Sequence, residues 1–363
     1  MGILDTIIHT KQSESLQQFN PEEIVREILG NLKERDKAIL TKRYGLNGTE
    51  IKTLAAIGTE QSLTRERVRQ IEKDLIKNLR KQGLTKEAFV RTRDLLINTI
   101  NEHGKVISED QLLEVFGVRE EKDRNAIIFL LHLIEELENF LHANYKNCWS
   151  TILFNRQLLH EFATHSKTIL EGKGKPVHEK EFLEAFKETE FYQANQLELT
   201  DRVILNFLDL AHEIEKNSFD FWGLESWKEI KPKDVGDKAY LVLKHHGKPE
   251  HYSVITEMIN KSKFDKRTAY KETVHNELIK DSRFILIGRG IYALSEWGYK
   301  PGVVADVIAE VLKASGRLLS REQIIEEVLK RRVVKKNTIL VGLSNKKMFK
   351  KVDRNLYALV LSV

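Results

Sequence analysis

Residues 62–80 combine a row of charged and amide side chains with a regular stripe of apolar ones. An arginine can donate two parallel hydrogen bonds to a guanine, a glutamate can accept one from a cytosine, and any cation can hold a phosphate. The side chains of this row that could do so are Thr64, Arg65, Glu66, Arg69, Gln70 and Lys73. Their types and close spacing predict a surface that contacts double-stranded DNA.

A helix would place these side chains on one exposed face. Thr64 suits the N-cap, and Glu66 falls in the first turn, where the helix macrodipole favours an acid. The apolar stripe repeats at helical spacing in Val68, Ile71, Leu75 and Leu79. The first residues of such a helix reach base edges when it lies in a major groove. A merely solvated, charged helix face is the alternative that charge alone leaves open.

Two shorter helices are predicted ahead of this one. Residues 32–45 form an amphipathic pattern that ends in Gly45, and residues 53–58 form a short helix that runs into a turn. The order is helix, helix, turn, helix, which is typical of a helix-turn-helix DNA-binding domain.

Three pieces of this stretch carry a resemblance to a known family. They are Arg43-Tyr-Gly-Leu46, Thr53-Leu-x-x-Ile-Gly58 and Thr64-Arg-Glu-Arg-Val-Arg-Gln-Ile-Glu72. In register and without a gap, they resemble region 4 of the bacterial sigma-70 family, from Pro21 to about Gly83. Two positions depart from the family pattern. Gln61 and Ser62 stand where it usually has an apolar residue and a glycine in the turn.

Region 4 of that family reads the promoter −35 element and also packs on the flap of the RNA polymerase β subunit. The resemblance therefore implies two partners, promoter-like double-stranded DNA and RNA polymerase. By position, it implies that Arg65, Glu66 and Arg69 contact bases or phosphates, with Gln70 beside them. The match covers only about a sixth of the chain.

After residue 83 the chain repeats one pattern four times. Each copy has the end of a helix, a glycine, a basic residue, a short extended link and a second helix, then a third amphipathic helix and an aromatic-rich ending. The aligned glycines, 70, 73 and 69 residues apart, are Gly104, Gly174, Gly247 and Gly316. In the third copy, residues 284–294 alternate apolar side chains across Gly288-Arg-Gly290, which predicts a β-hairpin. We expect four winged helices in a row, each burying its own core.

The predicted fold is mainly α, with a region 4-like helix-turn-helix followed by four tandem winged helices of three helices and a β-hairpin each. The predicted boundaries are an N-terminal extension at 1–20, the helix-turn-helix at 21–83, acidic winged helices at 84–155 and 156–232, a third at 233–300 and a basic fourth at 301–363.

The third repeat carries a second resemblance. Asp237-Lys-Ala-Tyr-Leu-Val-Leu-Lys-x-x-Gly-Lys-Pro249, Ile255, Ile259 and Arg289-Gly-x-Tyr-Ala-Leu-x-x-Trp297 look like the HARE-type helix-turn-helix. That family resembles the N-terminal domain of the RNA polymerase δ subunit of Gram-positive bacteria. It is found fused to restriction, chromatin and transcription proteins. The resemblance implies a nucleic-acid or polymerase adaptor and fixes no catalytic residue.

The hairpin of that repeat offers one candidate contact. Arg289 sits between two glycines at the predicted tip, where a wing can touch a phosphate backbone. Tyr292 could touch the backbone in the same way, but for Tyr292 and Trp297 packing in the core is the favoured prediction.

Charge is distributed unevenly along the chain. Residues 84–230 contain 27 acidic and 17 basic side chains, a net charge of −10, whereas 21–83 carry +4, 231–302 carry +5 and 303–363 carry +7. A duplex is a polyanion, so affinity for DNA should come mainly from the two ends. In the last repeat the basic run 330–336 precedes the third helix, and we predict that Lys335 and Lys336 contact DNA. A solvated surface is the alternative.

No pattern predicts an enzyme, a cofactor or a metal site. The single cysteine, Cys148, and the 12 histidines do not stand at metal-ligand spacing, and Gly172-Lys-Gly-Lys175 lacks the spacing of a phosphate-binding loop. Glu213-Ile-Glu-Lys216 resembles half of a metal-dependent nuclease motif, but residues 203–214 show helical periodicity, so we do not expect its carboxylates to converge. We expect no small-molecule substrate.

The chain also shows no apolar stretch of the roughly 18 residues that a membrane span needs, and no basic segment followed by an apolar one at its N-terminus. With one cysteine, a reducing cytoplasm fits best.

These features together predict a cytoplasmic DNA-binding transcription regulator. About twenty residues precede the region 4 match, so we expect no part like sigma region 2 and no complete sigma factor. The alternative is a non-enzymatic module of a defence or restriction-modification system that senses modified DNA through the HARE-type repeat. A third possibility is a scaffold without affinity for DNA.

Overall fold

The computed structural model describes residues 19–83, 86–299, 302–353 and 355–360. Most of the predicted N-terminal extension, 1–20, lies outside these residues. The chain divides into two compact units, Met1–Glu215 and Lys216–Val363. The division falls inside the second predicted winged helix.

The first unit begins with the predicted helix-turn-helix. Its elements are α1 (Pro21–Leu29), α2 (Glu34–Tyr44), a 3-10 turn (Leu46–Gly48), α3 (Leu54–Gln61) and α4 (Arg65–Gly83). The expected order of helix, helix, turn and helix is present.

The first winged helix follows directly. Its elements are α5 (Glu87–Glu102), β1 (Val106–Ser108), α6 (Glu109–Val115), α7 (Glu121–Leu133), β2 (Leu137–Phe140) and β3 (Cys148–Thr151). Ser108 begins α6 as its N-cap, because its hydroxyl accepts a hydrogen bond from the Gln111 amide at 3.2 Å.

The second winged helix has one additional short helix. Its elements are α8 (Arg156–Lys173), β4 (Val177–His178), α9 (Glu179–Lys187), α10 (Glu190–Asn195), α11 (Asp201–Leu210), β5 (Ile214–Lys216) and β6 (Phe221–Leu224). The expectation of a helix through residue 214 is wrong, since α11 ends at Leu210 and Ile214 begins a strand. Burial of Ala211 and Ile214 produced the helix-like spacing.

The second compact unit contains the remaining two repeats. The third repeat consists of α12 (Val235–His246), β7 (Glu250–His251), α13 (Tyr252–Lys261), α14 (Lys271–Lys280), β8 (Phe284–Gly288), β9 (Ile291–Leu294) and a 3-10 turn (Ser295–Trp297). The fourth consists of α15 (Val304–Ser315), β10 (Leu319–Ser320), α16 (Arg321–Arg331), α17 (Lys336–Leu343), β11 (Phe349–Asp353) and β12 (Leu356–Leu359).

Each repeat has a three-stranded sheet with the same strand order: first, third, second. The short first strand pairs antiparallel with the last, as Val106 does with Ser150, Glu250 with Tyr292 and Leu319 with Tyr357. The predicted hairpin at 284–294 is formed by β8 and β9. The fold is therefore mainly helical, with a helix-turn-helix segment and repeated three-helix units that each carry a small sheet.

The aligned glycines end or follow the first helix of each repeat in a left-handed conformation. Gly174, Gly247 and Gly316 have φ of 62°, 75° and 61°, and Gly104 has φ of 85°. Glycine adopts this conformation without steric cost, so the repeated glycine marks the turn that ends the helix.

The expectation of one core per repeat holds for the third and fourth repeats, which have separate buried clusters. The expectation is wrong for the first repeat. One continuous core runs from Val25 in α1 to Trp149 in β3 and joins the helix-turn-helix to the first winged helix. Helix α7 makes this join, because it packs against α1, α2, the 3-10 turn and α4.

The second winged helix is held to the first by its own third helix. Asn206 in α11 is 1% exposed and donates hydrogen bonds to the carbonyl oxygens of His103 at 2.6 Å and Val106 at 2.8 Å. A Cβ atom at Gly104 would lie 2.6 Å from Val203, so only glycine permits this approach.

The wing of the first repeat takes part in the same contact. The Lys146 amide donates to the Leu210 carbonyl, and the His212 amide donates to the Asn144 carbonyl, both at 2.9 Å. Both the third helix and the wing of the first repeat are thus used for packing inside the protein.

Candidate nucleic-acid interface

The turn between α3 and α4 sets the angle of the helix-turn-helix. Gly58 lies so close to the turn that an added Cβ atom would be 2.6 Å from the Leu63 carbonyl oxygen. The Leu63 amide donates back to the Gly58 carbonyl at 2.8 Å. Ser62, at the position of the expected glycine, has φ of 54° and ψ of 40°. The serine therefore adopts the left-handed conformation that a glycine would supply.

Helix α4 starts where the sequence predicts. The Thr64 hydroxyl accepts a hydrogen bond from the Arg67 amide at 3.1 Å, which is an N-cap contact. The remaining predicted contacts are exposed along its first turns: Arg65, Glu66, Arg69, Gln70 and Lys73. The structure thus brings together the six residues predicted in this segment.

Glu66 and Arg69 form a bidentate ion pair. The two guanidinium–carboxylate distances are 2.7 and 2.9 Å. The hydrogen bond from Arg69 lowers the pKa of the Glu66 carboxyl, which is therefore ionised at neutral pH. Both side chains are more than half exposed. They can exchange this pair for contacts with a base pair, which presents donors and acceptors at similar spacing.

Two residues that the sequence analysis left out belong to the same surface. Arg67 is exposed and lies 3.5 Å from the Gln70 side-chain oxygen, and Lys77 continues the exposed face one turn beyond Lys73. Their helical spacing from Gln70 and Lys73 could have predicted from the sequence that both lie on this surface. Arg65 and Lys73 form no hydrogen bond or ion pair with the residues that the structure describes.

The opposite side of α4 is fixed by the rest of the first unit. Val68, Ile71, Leu75 and Leu79 are buried, as predicted. The Arg43 guanidinium in α2 pairs with the Glu72 carboxylate at 3.2 Å. The Arg80 guanidinium donates to the His132 carbonyl oxygen in α7 at 2.8 Å. The first winged helix therefore braces the helix that carries the candidate contacts.

Aromatic rings fill the joint between α2, α7 and the wing strand β3. The Tyr44 ring lies edge-on to Phe129 and His132 at 5.0 and 5.4 Å, and the His132 ring lies 4.9 Å from Trp149. Burial lowers the pKa of His132, and its Nδ1 donates to the Ile128 carbonyl at 2.8 Å. The histidine is therefore neutral at pH 7.

Another charged cluster lies at the α3 side of the turn. The Glu60 carboxylate accepts from Lys42 at 2.6 Å and also from Lys52. These two lysines lower the pKa of Glu60 to about 2. The cluster links α2 to α3 through exposed groups and so helps to hold the helix-turn-helix together.

The predicted contacts of the third and fourth repeats lie in the other compact unit. Arg289 is exposed at the β8–β9 turn. Tyr292 is 1% exposed in the core of its repeat, and Trp297 packs against that core. Lys335 is the N-cap residue of α17, Lys336 is its first residue, and both are exposed.

The basic run 330–336 is not a uniform surface, contrary to expectation. Lys330 pairs with Glu327 at 2.8 Å, and Arg331 pairs with the same carboxylate group at 3.5 Å. Arg332 is 4% exposed and donates to the Leu286 and Gly302 carbonyls at 2.6 and 2.8 Å. Lys330 and Arg331 therefore form ion pairs within helix α16, and Arg332 joins the fourth repeat to the third.

The described residues contain no group of three His, Cys, Asp or Glu side chains that could hold a metal ion. Glu213, from the motif that resembles half of a nuclease site, pairs instead with Lys167 at 2.7 Å. Among the described helices, none is both long enough and apolar enough to span a bilayer.

The chain matches the model of the family described as "Sigma-70, region 4" over residues 28–81. It is 49% identical over 57 residues to the RNA polymerase sigma factor RpoD of Helicobacter pylori, which is 15% of this chain and 8% of that protein. It is 36% identical over 77 residues to the RNA polymerase principal sigma factor HrdD of Streptomyces viridifaciens, 21% of this chain and 23% of that protein. The chain thus spans less than a quarter of either relative, and residues 28–81 are a sigma-70 region 4 DNA-binding segment.

Proposed function

We propose that this protein is a DNA-binding transcription regulator that reads a promoter-like duplex through the first turns of α4. The observation that supports the proposal is the exposed row of Arg65, Glu66 and Arg69 on a helix whose other side is rigidly packed. This row belongs to a segment that matches sigma-70 region 4.

The presence of Glu66 favours base recognition over simple attraction to phosphates. A carboxylate repels the DNA backbone, so a surface that needed only phosphate affinity would gain nothing from it. A carboxylate can accept a hydrogen bond from the amino group of cytosine, and the neighbouring guanidinium can donate to guanine. Glu66 and Arg69 lie side by side and exposed on α4, which suits contact with neighbouring bases.

RNA polymerase is the second proposed partner. In the family that the segment resembles, an apolar side of region 4 packs on the polymerase flap. In this chain, α7 packs against α1, α2 and α4 and so covers an apolar side of the segment. A flap contact through that side requires α7 to leave it. We therefore place DNA first and polymerase second.

The remaining described residues form winged helices, and we propose that they act as accessory modules of a transcription regulator. The alternative, a modified-DNA sensor of a defence system, depends on the third repeat. That alternative gains little from the structure, because Tyr292 and Trp297 belong to the core and only Arg289 is left as a candidate contact. The HARE-type resemblance stays a prediction.

The proposal is tested by measuring which duplexes the intact protein prefers. After selection from a randomised duplex pool, affinities for the selected and a scrambled duplex are compared for wild type and Arg65→Ala. We expect the variant to lose about 1 to 3 kcal/mol of sequence preference, as for a side chain that reads a base. Arg26→Ala, which removes an exposed arginine of α1, is the matched control and should retain the preference.

Two results would count against the proposal. Equal losses on both duplexes with Arg65→Ala would mean that this side chain does not read sequence. Binding that does not weaken as salt increases would mean that phosphates are not contacted at all, since such contacts release counterions.

The polymerase contact is tested by retrieving RNA polymerase from host lysate with the intact protein. Deletion of residues 1–83 is a poor control, because it would expose the apolar surface of α7 that now packs in the shared core. A surface variant is preferable, and Arg65→Ala changes an exposed side chain without opening the core, so it shows whether retrieval depends on the DNA-binding face of α4. If the intact protein does not retrieve RNA polymerase, the polymerase contact is contradicted and only the proposed DNA contact remains.

A further inference from the structure

A basic surface of six side chains lies on the fourth winged helix, in the second compact unit. We call it the lysine surface, and it consists of Lys335, Lys336, Lys346, Lys347, Lys350 and Lys351. All six are exposed, and none forms an ion pair with a residue that the structure describes. Between residues 335 and 352 the sequence contains no acidic side chain.

Other basic side chains of the same repeat have structural partners. Lys330 pairs with Glu326 and Glu327, Arg331 pairs with Glu327, and Arg332 is buried among carbonyl oxygens. The lysine surface differs because its six charges lie close together in the sequence, with no acidic side chain between residues 335 and 352. Mutual repulsion of unpaired like charges destabilises a folded protein, which indicates that an anionic partner supplies the missing charge.

The placement of Lys335 and Lys336 is locally unfavourable. They stand at the N-terminus of α17, where the helix macrodipole is positive and an acid would be stabilising. The next exposed side chains of the helix, Asn337 and Thr338, are small and polar. This end of α17 is therefore better suited to a phosphate backbone and base edges than to water alone.

The other four lysines continue the surface at the opposite end of the helix. Helix α17 has eight residues and is about 12 Å long, which is close to the width of a major groove. Lys346 and Lys347 follow its C-terminus, so the two lysine pairs lie at opposite ends of the helix.

The last two lysines lie on the wing, and as consecutive residues of a strand they project to opposite faces of its sheet, on either side of the edge. Lys350 and Lys351 belong to β11, an edge strand of the sheet, and pair with Ala358 and Tyr357 of β12. Between the lysine pairs, Val341 is 70% exposed on α17. An exposed apolar side chain on this helix can contact the methyl group of a thymine.

We propose that the lysine surface binds the phosphate backbone of double-stranded DNA, with α17 directed into a major groove. This contact is separate from the one proposed for α4, and it depends mainly on phosphates. The protein would then hold DNA at two places, one that selects a sequence and one that adds affinity for any sequence.

The test uses the intact protein and a 24-base-pair duplex of random sequence, with affinity measured by fluorescence anisotropy at several salt concentrations. In one variant, all six lysines of the surface are replaced by glutamine. The matched control replaces six other exposed lysines of the second unit by glutamine, so that the total charge change is the same. These are Lys248, Lys261, Lys263, Lys266, Lys280 and Lys313.

We expect the surface variant to lose at least about tenfold in affinity and at least about 3 units of the slope of log affinity against log salt. The control should lose less than about threefold in affinity and less than about 1 unit of slope. Thermal unfolding should show that both variants fold, because all twelve side chains are exposed, and the surface variant should be at least as stable as wild type, because it removes unpaired like charges. If the six-fold variant does not fold, Lys346→Gln with Lys347→Gln provides the same test with a smaller expected loss.

Equal losses in the surface and control variants would overturn the proposal, because they would show an effect of total charge and not of a site. An unchanged affinity in the surface variant would also overturn it and would point to an acidic protein partner. Neither result affects the α4 proposal, since Arg65→Ala is scored on sequence preference and the lysine variants on a random duplex.

Discussion

Helices α7 and α17 hold the same position in the first and fourth winged helices, and their surroundings differ. Seven of the 13 residues of α7 are buried, against two of the eight residues of α17. Helix α7 packs against the region 4 segment, whereas α17 presents a lysine, an asparagine, a threonine and a valine to solvent. One repeated fold therefore provides a structural brace in one copy and an open surface in another.

The second and third repeats extend this comparison. Six of the ten residues of α11 are buried, and this helix packs on the first winged helix. Only two of the ten residues of α14 are buried. The buried third helices belong to the acidic repeats and the open ones to the basic part of the chain. A buried third helix cannot enter a DNA groove, so positive charge around it would not contribute to DNA binding.

The strongest test of the comparison is the removal of a large buried ring from α7. Phe129 is 0% exposed and contacts Tyr44 of the region 4 segment. We expect Phe129→Ala to lower the free energy of unfolding by about 3 to 5 kcal/mol, because it leaves a cavity in the shared core. Val341→Ala in α17 should cost less than about 0.5 kcal/mol. Urea unfolding measures both, and similar values would contradict the difference between the two helices.

A buried asparagine provides the next test. Asn206→Ala removes both hydrogen bonds to the His103 and Val106 carbonyls and leaves them buried without a donor. We expect a loss of about 2 to 3 kcal/mol in the free energy of unfolding. The matched change at an exposed third helix, Asn337→Ala, should stay within about 0.5 kcal/mol of wild type. A small effect of Asn206→Ala would mean that α11 does not hold the two repeats together.

His132 of α7 should make the stability of the protein depend on pH. Burial lowers the pKa of His132 below its ordinary value of 6.5, so the unfolded chain takes up a proton there before the native protein does. Stability is therefore fully present above pH 6.5 and falls as pH decreases, with a slope that approaches about 1.4 kcal/mol per pH unit.

This dependence is measured by urea unfolding at several pH values between 7.5 and 5. His132→Gln should make the slope shallower, because it removes the imidazole whose pKa is lowered by burial. An unchanged slope in His132→Gln would contradict a neutral, buried His132.

The smallest expected effect concerns the charges around α17. Exchanging Lys335 and Lys336 for glutamate should raise stability by about 0.3 to 1 kcal/mol per residue, because an acid suits the helix N-terminus. The same exchange at Lys346 and Lys347, beyond the C-terminus, should lower stability slightly. Both double variants should bind DNA more weakly. Destabilisation by the first pair, measured by thermal unfolding, would contradict the electrostatic interpretation of the lysine surface.

Much of the fold is predictable from local sequence signals. The N-cap Thr64, the left-handed Gly45 and the repeated glycines mark helix ends correctly, since these residues satisfy backbone geometry wherever they occur. The hairpin around Gly288-Arg-Gly290 follows from apolar alternation.

Local signals do not predict whether the third helix of a repeat packs inside the protein or stays exposed. An amphipathic pattern indicates that one face is buried, but it does not indicate which element covers that face. Helix α7 carried one overlooked signal, since the run from Ala126 to Leu131 is apolar almost all round, which is typical of a helix packed on two sides. The sequence around Arg332 contains no comparable signal of its burial. Arg332 lies in a basic run, and only the fold reveals that it alone is buried against carbonyl groups while Lys335 and Lys336 are open.

The most direct test is the change in amide hydrogen exchange of the intact protein when a selected duplex is added. DNA contact should slow exchange in residues 62–77 with the selected duplex, and in residues 335–351 with any duplex. Exchange in α7 and α11 should be unchanged, because both helices are already buried inside the first unit. Slower exchange in α7 or α11 without slower exchange in residues 62–77 would contradict the account, because DNA would then contact the helices assigned to packing.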